Sequence, residues 1–356
     1  MDDDLLVEIL TRLPLKSLFR FKCVCKEWCR LISDDDHLRR KLPLVTSAIF
    51  YTLEPDLTEE PRYACTSSDG GLRGCSLTFF PFHQSSTIVD VCNGLLLCYS
   101  SLLSAFHVLS PATRRWRKLP KPSKRSQLSI LAFDPCNSSE FKVVSFAGWV
   151  EQGAELEVFA SDTGNWVEHQ VHWGIHSDAM STTMCFFDST LYILAHPNYI
   201  VGIDVTSFGT CSKIELPDPI KHEARVGKSG GCLCYAHRDG DQLKIWKLRD
   251  SNRGEWVVRG VVSIPSMVER SHCRSASFPC LPPQCKFMAF HPQREVVYLW
   301  LAGKMVGYDV NEGLVEEACE LGKEMERAYL FRIWLFPFSR YMSNCLADVQ
   351  GSSHCT

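Results

Sequence analysis

Gly227-Lys228-Ser229-Gly230-Gly231 has the G-x-S-x-G spacing of a serine nucleophile. That chemistry needs the serine on a strained turn between a strand and a helix. The run that follows, Cys232-Leu233-Cys234-Tyr235, has the composition of a strand, so the stretch reads as a tight turn between two strands. The same Gly-Lys-Ser ends like a phosphate loop, but His222 stands where such a loop needs its first glycine. His169, His172 and His176 cluster around Trp173. An alternating strand puts His169 and His172 on opposite faces, and no carboxylate or thiolate completes a ligand set, so they read as loop or solvent-facing histidines.

Eighteen cysteines raise the question of disulfides or zinc. They are scattered from Cys23 to Cys355 without any C-x-x-C pair, and they stay below the roughly 8–10% that marks a disulfide scaffold. Buried free thiols, packing as small hydrophobes, are the expectation, with no metal and no cofactor. A basic run holds Arg114, Arg115, Arg117, Lys118, Lys121, Lys124 and Arg125, broken by Pro120 and Pro122. It reads as a solvated loop, as an anion-reading surface for acidic or phosphorylated protein, or as a nuclear-import signal. Arg114, Arg115, Arg117 and Lys118 are the candidate target-binding residues.

The elements around these residues are of two kinds. Near the start, Leu5, Leu6, Ile9, Leu10 and Leu13 recur on one helical face, with Glu8, Thr11 and Arg12 on the other. Asp2 to Asp4 suit the positive end of that helix, and Pro14 breaks it while fitting the first turn of the next. Leu18, Phe21, Val24, Cys25, Trp28, Leu31 and Ile32 continue at spacings of three and four. About forty residues cannot close a core alone, so part of this apolar surface must find a partner.

This string, residues 5–32, resembles the F-box in its plant form. The resemblance implies a three-helix module that binds a Skp-type adaptor and, through it, the cullin and RING subunits of a ubiquitin ligase. Two departures stand out: no Leu-Pro pair precedes the acidic residues, and Ser33-Asp34-Asp35-Asp36-His37-Leu38 replaces the usual Ser-Asp-Pro-x-Phe. Leu5, Leu6, Ile9, Leu10, Leu13, Pro14, Leu18, Val24, Cys25 and Trp28 are candidates for adaptor contact or for packing within the module. Leu13 and Pro14, at the break, are expected on the surface, whereas Trp28 suits a small core.

The chain has 356 residues and a net charge of -3 with both signs interspersed, which favours neither nucleic acid nor an anionic membrane as partner. No leader-like apolar stretch and no run near about 18 apolar residues is visible, so a cytoplasmic or nuclear protein is expected. The sequon Asn137-Ser138-Ser139 would then stay unmodified.

Residues 42–90 read as strands and loops leading into a large domain, with strands expected at 44–53 and 76–82. From Thr87 on, short strands alternate with Gly, Pro, Asp, Asn and Ser. Five degenerate units of strand, strand, polar turn, strand follow at a period of about 40–55 residues, as in propeller blades. Trp116, Trp166 and Trp256 mark matching places. Asn93-Gly94-Leu95-Leu96, Phe133-Asp134-Pro135, Phe141-Lys142-Val143-Val144, Ser161-Asp162-Thr163-Gly164, Leu243-Lys244-Ile245-Trp246 and Phe290-His291-Pro292 are similar to the F-box-associated, Kelch-like propeller of plant F-box proteins.

The expectation is a mostly β chain: a three-helix F-box at 1–41, connecting strands at 42–90, propeller repeats at 91–340 and a tail at 341–356. Six blades are expected, with seven as the alternative, since residues 44–90 and 328–338 could complete a sixth. The resemblance implies the target-recruiting, non-catalytic subunit of an SCF-type ligase. Alternatives are a scaffold acting with the adaptor alone, outside degradation, and a propeller enzyme.

Overall fold

Apolar strands that are buried on both faces must stack, and in this protein they stack in a ring. The computed structural model describes residues 3–11, 21, 23–28, 45–54, 62–65, 77–270 except 112, 125, 127, 136, 210 and 251–252, 285–320 except 292–293 and 302–303, 330–338, and 346. The first element is helix α1, Asp3–Thr11. Strands β1 (Val45–Glu54) and β2 (Arg62–Cys65) follow. Blade I comprises β3 (Ser86–Cys92), β4 (Leu95–Ser100), β5 (Ala105–Ser110) and β6 (Arg115–Lys118). Blade II comprises β7 (Leu128–Phe133), β8 (Phe141–Val150), β9 (Gly153–Ala160) and β10 (Trp166–His172). Blade III comprises β11 (Met180–Phe187), β12 (Thr190–Ala195), β13 (Tyr199–Asp204) and β14 (Cys211–Glu215). Blade IV comprises β15 (His222–Ser229), β16 (Cys232–Asp239), β17 (Gln242–Asp250) and β18 (Glu255–Ser263), followed by helix α2, Ile264–Arg270. Blade V comprises β19 (Cys285–Phe290), β20 (Val296–Leu301), β21 (Lys304–Asp309) and β22 (Val315–Glu320), and β23 is Leu330–Phe338.

Each blade is an antiparallel meander in chain order, and the first strands of successive blades lie side by side. The described residues thus form five four-stranded blades, rather than the six or seven expected. The gap between β19 and β3 is filled by a three-stranded sheet of order β2-β1-β23, in which β23 lies beside both neighbours. β1 and β23 pair antiparallel from Val45↔Phe338 to Glu54↔Leu330. The strand expected at 76–82 is also corrected: Leu77–Phe79 and His83–Ser85 are 3-10 turns, with Phe80 N–H donating to the Leu77 carbonyl at 2.8 Å. Pro81 has no N–H to give a β ladder, which favours the turn.

The core is a series of layers between blades. Leu97, Val108, Leu131, Phe133 and Val143 join blades I and II, and Val158, Leu191 and Val201 lie in the layer between II and III. Leu194, Ile214, Leu233 and Tyr235 join III and IV, and Ile245, Phe287, Leu299 and Val306 join IV and V. Central strands lie between two such layers. β20 is buried at every position, which is why it reads as a continuous apolar run.

The repeat units legible in the sequence hold three strands each, and the strand without a sequence signal is always the first. β3, β7, β11, β15 and β19 face the ring axis. Bulges in all but β7 interrupt the period-2 pattern that marks a strand. The polar turn was legible because its geometry repeats. It closes on a positive φ at Arg114 (55°), Gly164 (70°), Phe208 (52°), Gly254 (63°) and Gly313 (66°). Glycine meets this at no steric cost in three blades.

The matching of the tryptophans also holds in the pairing. Trp116, Trp166 and Trp256 face Leu109, Phe159 and Leu248 across the last two strands of their blades; Cys211 and Val315 hold the same place in blades III and V. Trp166 Nε1 donates to the Pro120 carbonyl and Trp256 Nε1 to the Glu215 carbonyl, both at 2.8 Å, each reaching the end of the preceding blade. Trp116 instead packs edge-on against Phe80 and Phe82 in the segment before blade I. These half-buried indoles bolt neighbouring blades at their rims. Trp166→Phe should therefore cost about 1 kcal/mol, the usual worth of one hydrogen bond. Trp166→Ala should cost about 3 kcal/mol in urea unfolding, because the ring contacts with Phe106 and Phe159 go as well.

Candidate functional site

The enzyme-like stretches separate in the structure. Gly227 to Ser229 end β15, Gly230 and Gly231 form the hairpin at φ 54° and 73°, and β16 begins at Cys232. Ser229 Oγ donates to the Arg294 carbonyl at 2.9 Å in blade V, and no helix follows to make an elbow. His169 stacks on Phe208 at 4.5 Å, while His176 Nδ1 accepts from Asp178 N–H at 3.3 Å. Described cysteines are free; Cys92, Cys98, Cys234 and Cys285 are buried, whereas Cys23 and Cys25 are exposed. Burial pushes the thiols of Cys98, Cys234 and Cys285 up to about 12, far from nucleophilic use.

The basic run divides into structural and free-facing members. Arg117 donates to the Ser161 carbonyl at 3.1 Å and lies over the Phe159 ring, tying blade I to blade II. Lys124 pairs with Glu155 at 3.0 Å and with Glu168 at 3.6 Å. Arg114, Arg115 and Lys118 are exposed along the outer strand of blade I.

Near the axis, carboxylates cap backbone N–H groups that the inner strand edges leave without a ladder. Asp90 Oδ2 on β3 accepts from Leu131 N–H on β7 at 2.8 Å, and Glu223 Oε2 on β15 accepts from Phe287 N–H on β19 at 3.1 Å. Both sit at bulges of their strands. Burial raises the Asp90 carboxyl to about 7, against the lowering effect of its backbone hydrogen bonds. Cys92, Cys185 and Lys228 share its surroundings, and burial raises Cys185 to about 12.

No metal ligands were expected from the sequence, yet Asp218, His237 and Asp239 converge with one potential ligand atom each within 4.8 Å of the others. Lys221 and Lys244 pair with Asp239 at 2.7 and 2.9 Å. Their hydrogen bonds hold the Asp239 carboxyl down to about 2, and those to Asp239 and Asp218 raise Lys244. The i, i+2 spacing of His237 and Asp239 on one strand is the local signal for this group; Asp218 joins it through the fold.

On α1, one apolar stripe divides. Leu6 and Leu10, one turn apart, are 7% and 0% exposed, while Leu5 and Ile9 are 57% and 45% exposed. Val24 and Cys25 are exposed, and half-buried Trp28 meets Phe21 edge-on at 5.2 Å. Leu13, Pro14 and Leu18 lie outside the described residues.

Residues 72–327 match the family described as "F-box protein At3g26010-like, beta-propeller", and residues 1–40 match the F-box domain. The chain belongs to the F-box proteins with an At3g26010-like β-propeller. Similar relatives include the Arabidopsis thaliana F-box protein At5g49610, 29% identical over 82% of this chain and 86% of that one. F-box protein At3g26010 of the same plant is 26% identical over 84% and 74%. Among solved structures, the nidogen/laminin complex aligns with a TM-score of 0.43 at 10% identity, covering 82% of this chain and 99% of that one. F-box proteins of this family are generally non-catalytic adaptors, and an F-box implies binding to a Skp-type adaptor. Among the described α1 side chains of this F-box, Leu5 and Ile9 are exposed and Leu6 and Leu10 are covered.

The axial Asp90 of this propeller has a measurable signature. Its folded-state pKa is raised above 3.8, so the folded protein prefers the protonated acid; that stability is complete at low pH and is lost as pH rises through about 7. Asp90→Asn keeps an acceptor for Leu131 N–H without the charge. Its melting temperature should gain on the parent's progressively between pH 5 and 8; a constant difference would show that Asp90 does not titrate in that window.

Proposed function

We propose that this chain is the target-recruiting subunit of an SCF-type ubiquitin ligase. The observation that carries the reading is an F-box at 1–40 joined in one chain to a propeller at 72–327. The F-box would hold the adaptor, and through it cullin and RING subunits, while the propeller holds a target protein. The ligase machinery would supply the bond-forming chemistry and this chain proximity, which converts an encounter into an intramolecular reaction. It would act in the cytoplasm, the nucleus or both; among the described residues, no helix is long and apolar enough to cross a membrane.

Arg114, Arg115 and Lys118 support an acidic or phosphorylated target segment, since they face solvent while Arg117 and Lys124 are engaged between blades. Arginine forks suit carboxylate and phosphate oxygens. Arg114→Glu with Arg115→Glu should then reduce target capture while leaving adaptor binding unchanged.

Adaptor binding tests the other half. Leu5→Ala with Ile9→Ala should weaken binding to a Skp-type adaptor at least about tenfold, the scale of losing an interface hot spot, without changing the melting temperature of the propeller. A chain lacking residues 1–41 should still capture the target, recover neither adaptor nor cullin, and prolong target half-life in cells. Adaptor recovery without cullin by the full chain would favour the scaffold reading; adaptor recovery by the shortened chain would overturn the division of labour.

A further inference from the structure

At the junction of blades III and IV, Asp218 lies in the linker between β14 and β15, and His237 and Asp239 lie two apart on β16, on the same face of the strand. His237 is fully buried. Its Nδ1 is 3.1 Å from Tyr235 Oη, which is 3.4 Å from the Pro219 carbonyl. A carbonyl only accepts, so with the phenol proton on Pro219 the Tyr235 oxygen accepts from the imidazole Nδ1–H. In that arrangement the imidazole proton is on Nδ1 and the lone pair on Nε2.

Nε2 lies 3.4 Å from Asp218 Oδ2 and makes no hydrogen bond. With the proton on Nδ1, a buried and unpartnered Nε2 lone pair faces a carboxylate oxygen, and a cation between them would satisfy both. Lys244 is 3.4 Å from Asp218 Oδ2 and Lys221 is 2.7 Å from Asp239 Oδ2, yet neither serves Nε2.

The geometry points to a divalent-cation site formed by His237 Nε2 and the carboxylates of Asp218 and Asp239. One imidazole and two carboxylates suit Zn²⁺, Co²⁺ or Mn²⁺, with positions left for water or another ligand. Tyr235 supplies the outer contact that fixes the tautomer and aims the ring, as metal-bound histidines require. Lys221 and Lys244 are the resident counter-ions, and their side chains, 37% and 27% exposed, can swing into solvent when the metal enters. The ion would clamp the III–IV linker onto the second strand of blade IV.

Cobalt tests this directly in the full-length chain, because its visible absorption reports the donor atoms. We expect one equivalent of Co²⁺ with d–d bands and without the thiolate charge-transfer band that binding at exposed Cys23 or Cys25 would give. Asp239→Asn and His237→Gln should abolish it. Asp239 is partly exposed, so its variant keeps the test valid if the His237 variant fails to fold. Lys244→Met should tighten binding about tenfold, the scale of removing one nearby charge at a partly exposed site. The site is overturned by absence of saturable binding in the parent, whether or not Lys244→Met binds. It is equally overturned by a thiolate band that survives Asp239→Asn.

Discussion

A ring of stacked sheets holds only if it closes, and closure here depends on one antiparallel pairing between distant parts of the chain. β1 pairs with β23 along its whole length, and β23 takes the inner place between β19 and β3. Bringing such remote segments together costs on the order of 5 kcal/mol in loop entropy for a few hundred residues. The return comes at every other junction. Once the ring is closed, each blade is covered on both faces, and the apolar layers between blades are removed from water together.

Closure also explains where the polar groups went. The inner strands keep one unpaired edge toward the axis, and backbone N–H groups there cannot be left bare in a partly dry interior. Asp90 and Glu223 answer that need from adjoining blades, at the expense of an acid held in surroundings that disfavour its charge. At the rim, where fourth strands are half exposed, Trp166 and Trp256 make the corresponding link with an indole that is apolar on its face and polar at one atom. The axis and rim are thus bolted by different chemistry.

A scaffold held at both radii is suited to presenting loops and strand edges. The histidines that cluster in sequence diverge, and the glycine-serine stretch is a hairpin. The basic run shows how one sequence feature can serve two ends: Arg117 and Lys124 hold blades I and II together, while Arg114, Arg115 and Lys118 remain at the surface. α1 divides its apolar stripe in the same manner, with Leu6 and Leu10 inward and Leu5 and Ile9 outward.

The sequence by itself determined what depends on local chemistry. The α1 periodicity, the polar turns after Ser110, Ala160 and Asp309, the hairpin at Gly230-Gly231 and the places of Trp116, Trp166 and Trp256 follow from spacing, because helix faces, positive-φ turns and rim indoles repeat at fixed local positions. It also carried the family through the motifs of residues 5–32. Five units and the joining of residues 44–90 with 328–338 were legible, but tertiary structure alone decided that each unit has a fourth, inner strand and that the closing sheet has three strands rather than four, since a bulge erases the alternation by which a strand is recognised. It alone brought Asp218 to His237 and Asp239, and it alone chose which of Leu5, Leu6, Ile9 and Leu10 are covered. Burial is a property of neighbours, and neighbours far along the chain leave no trace in local spacing.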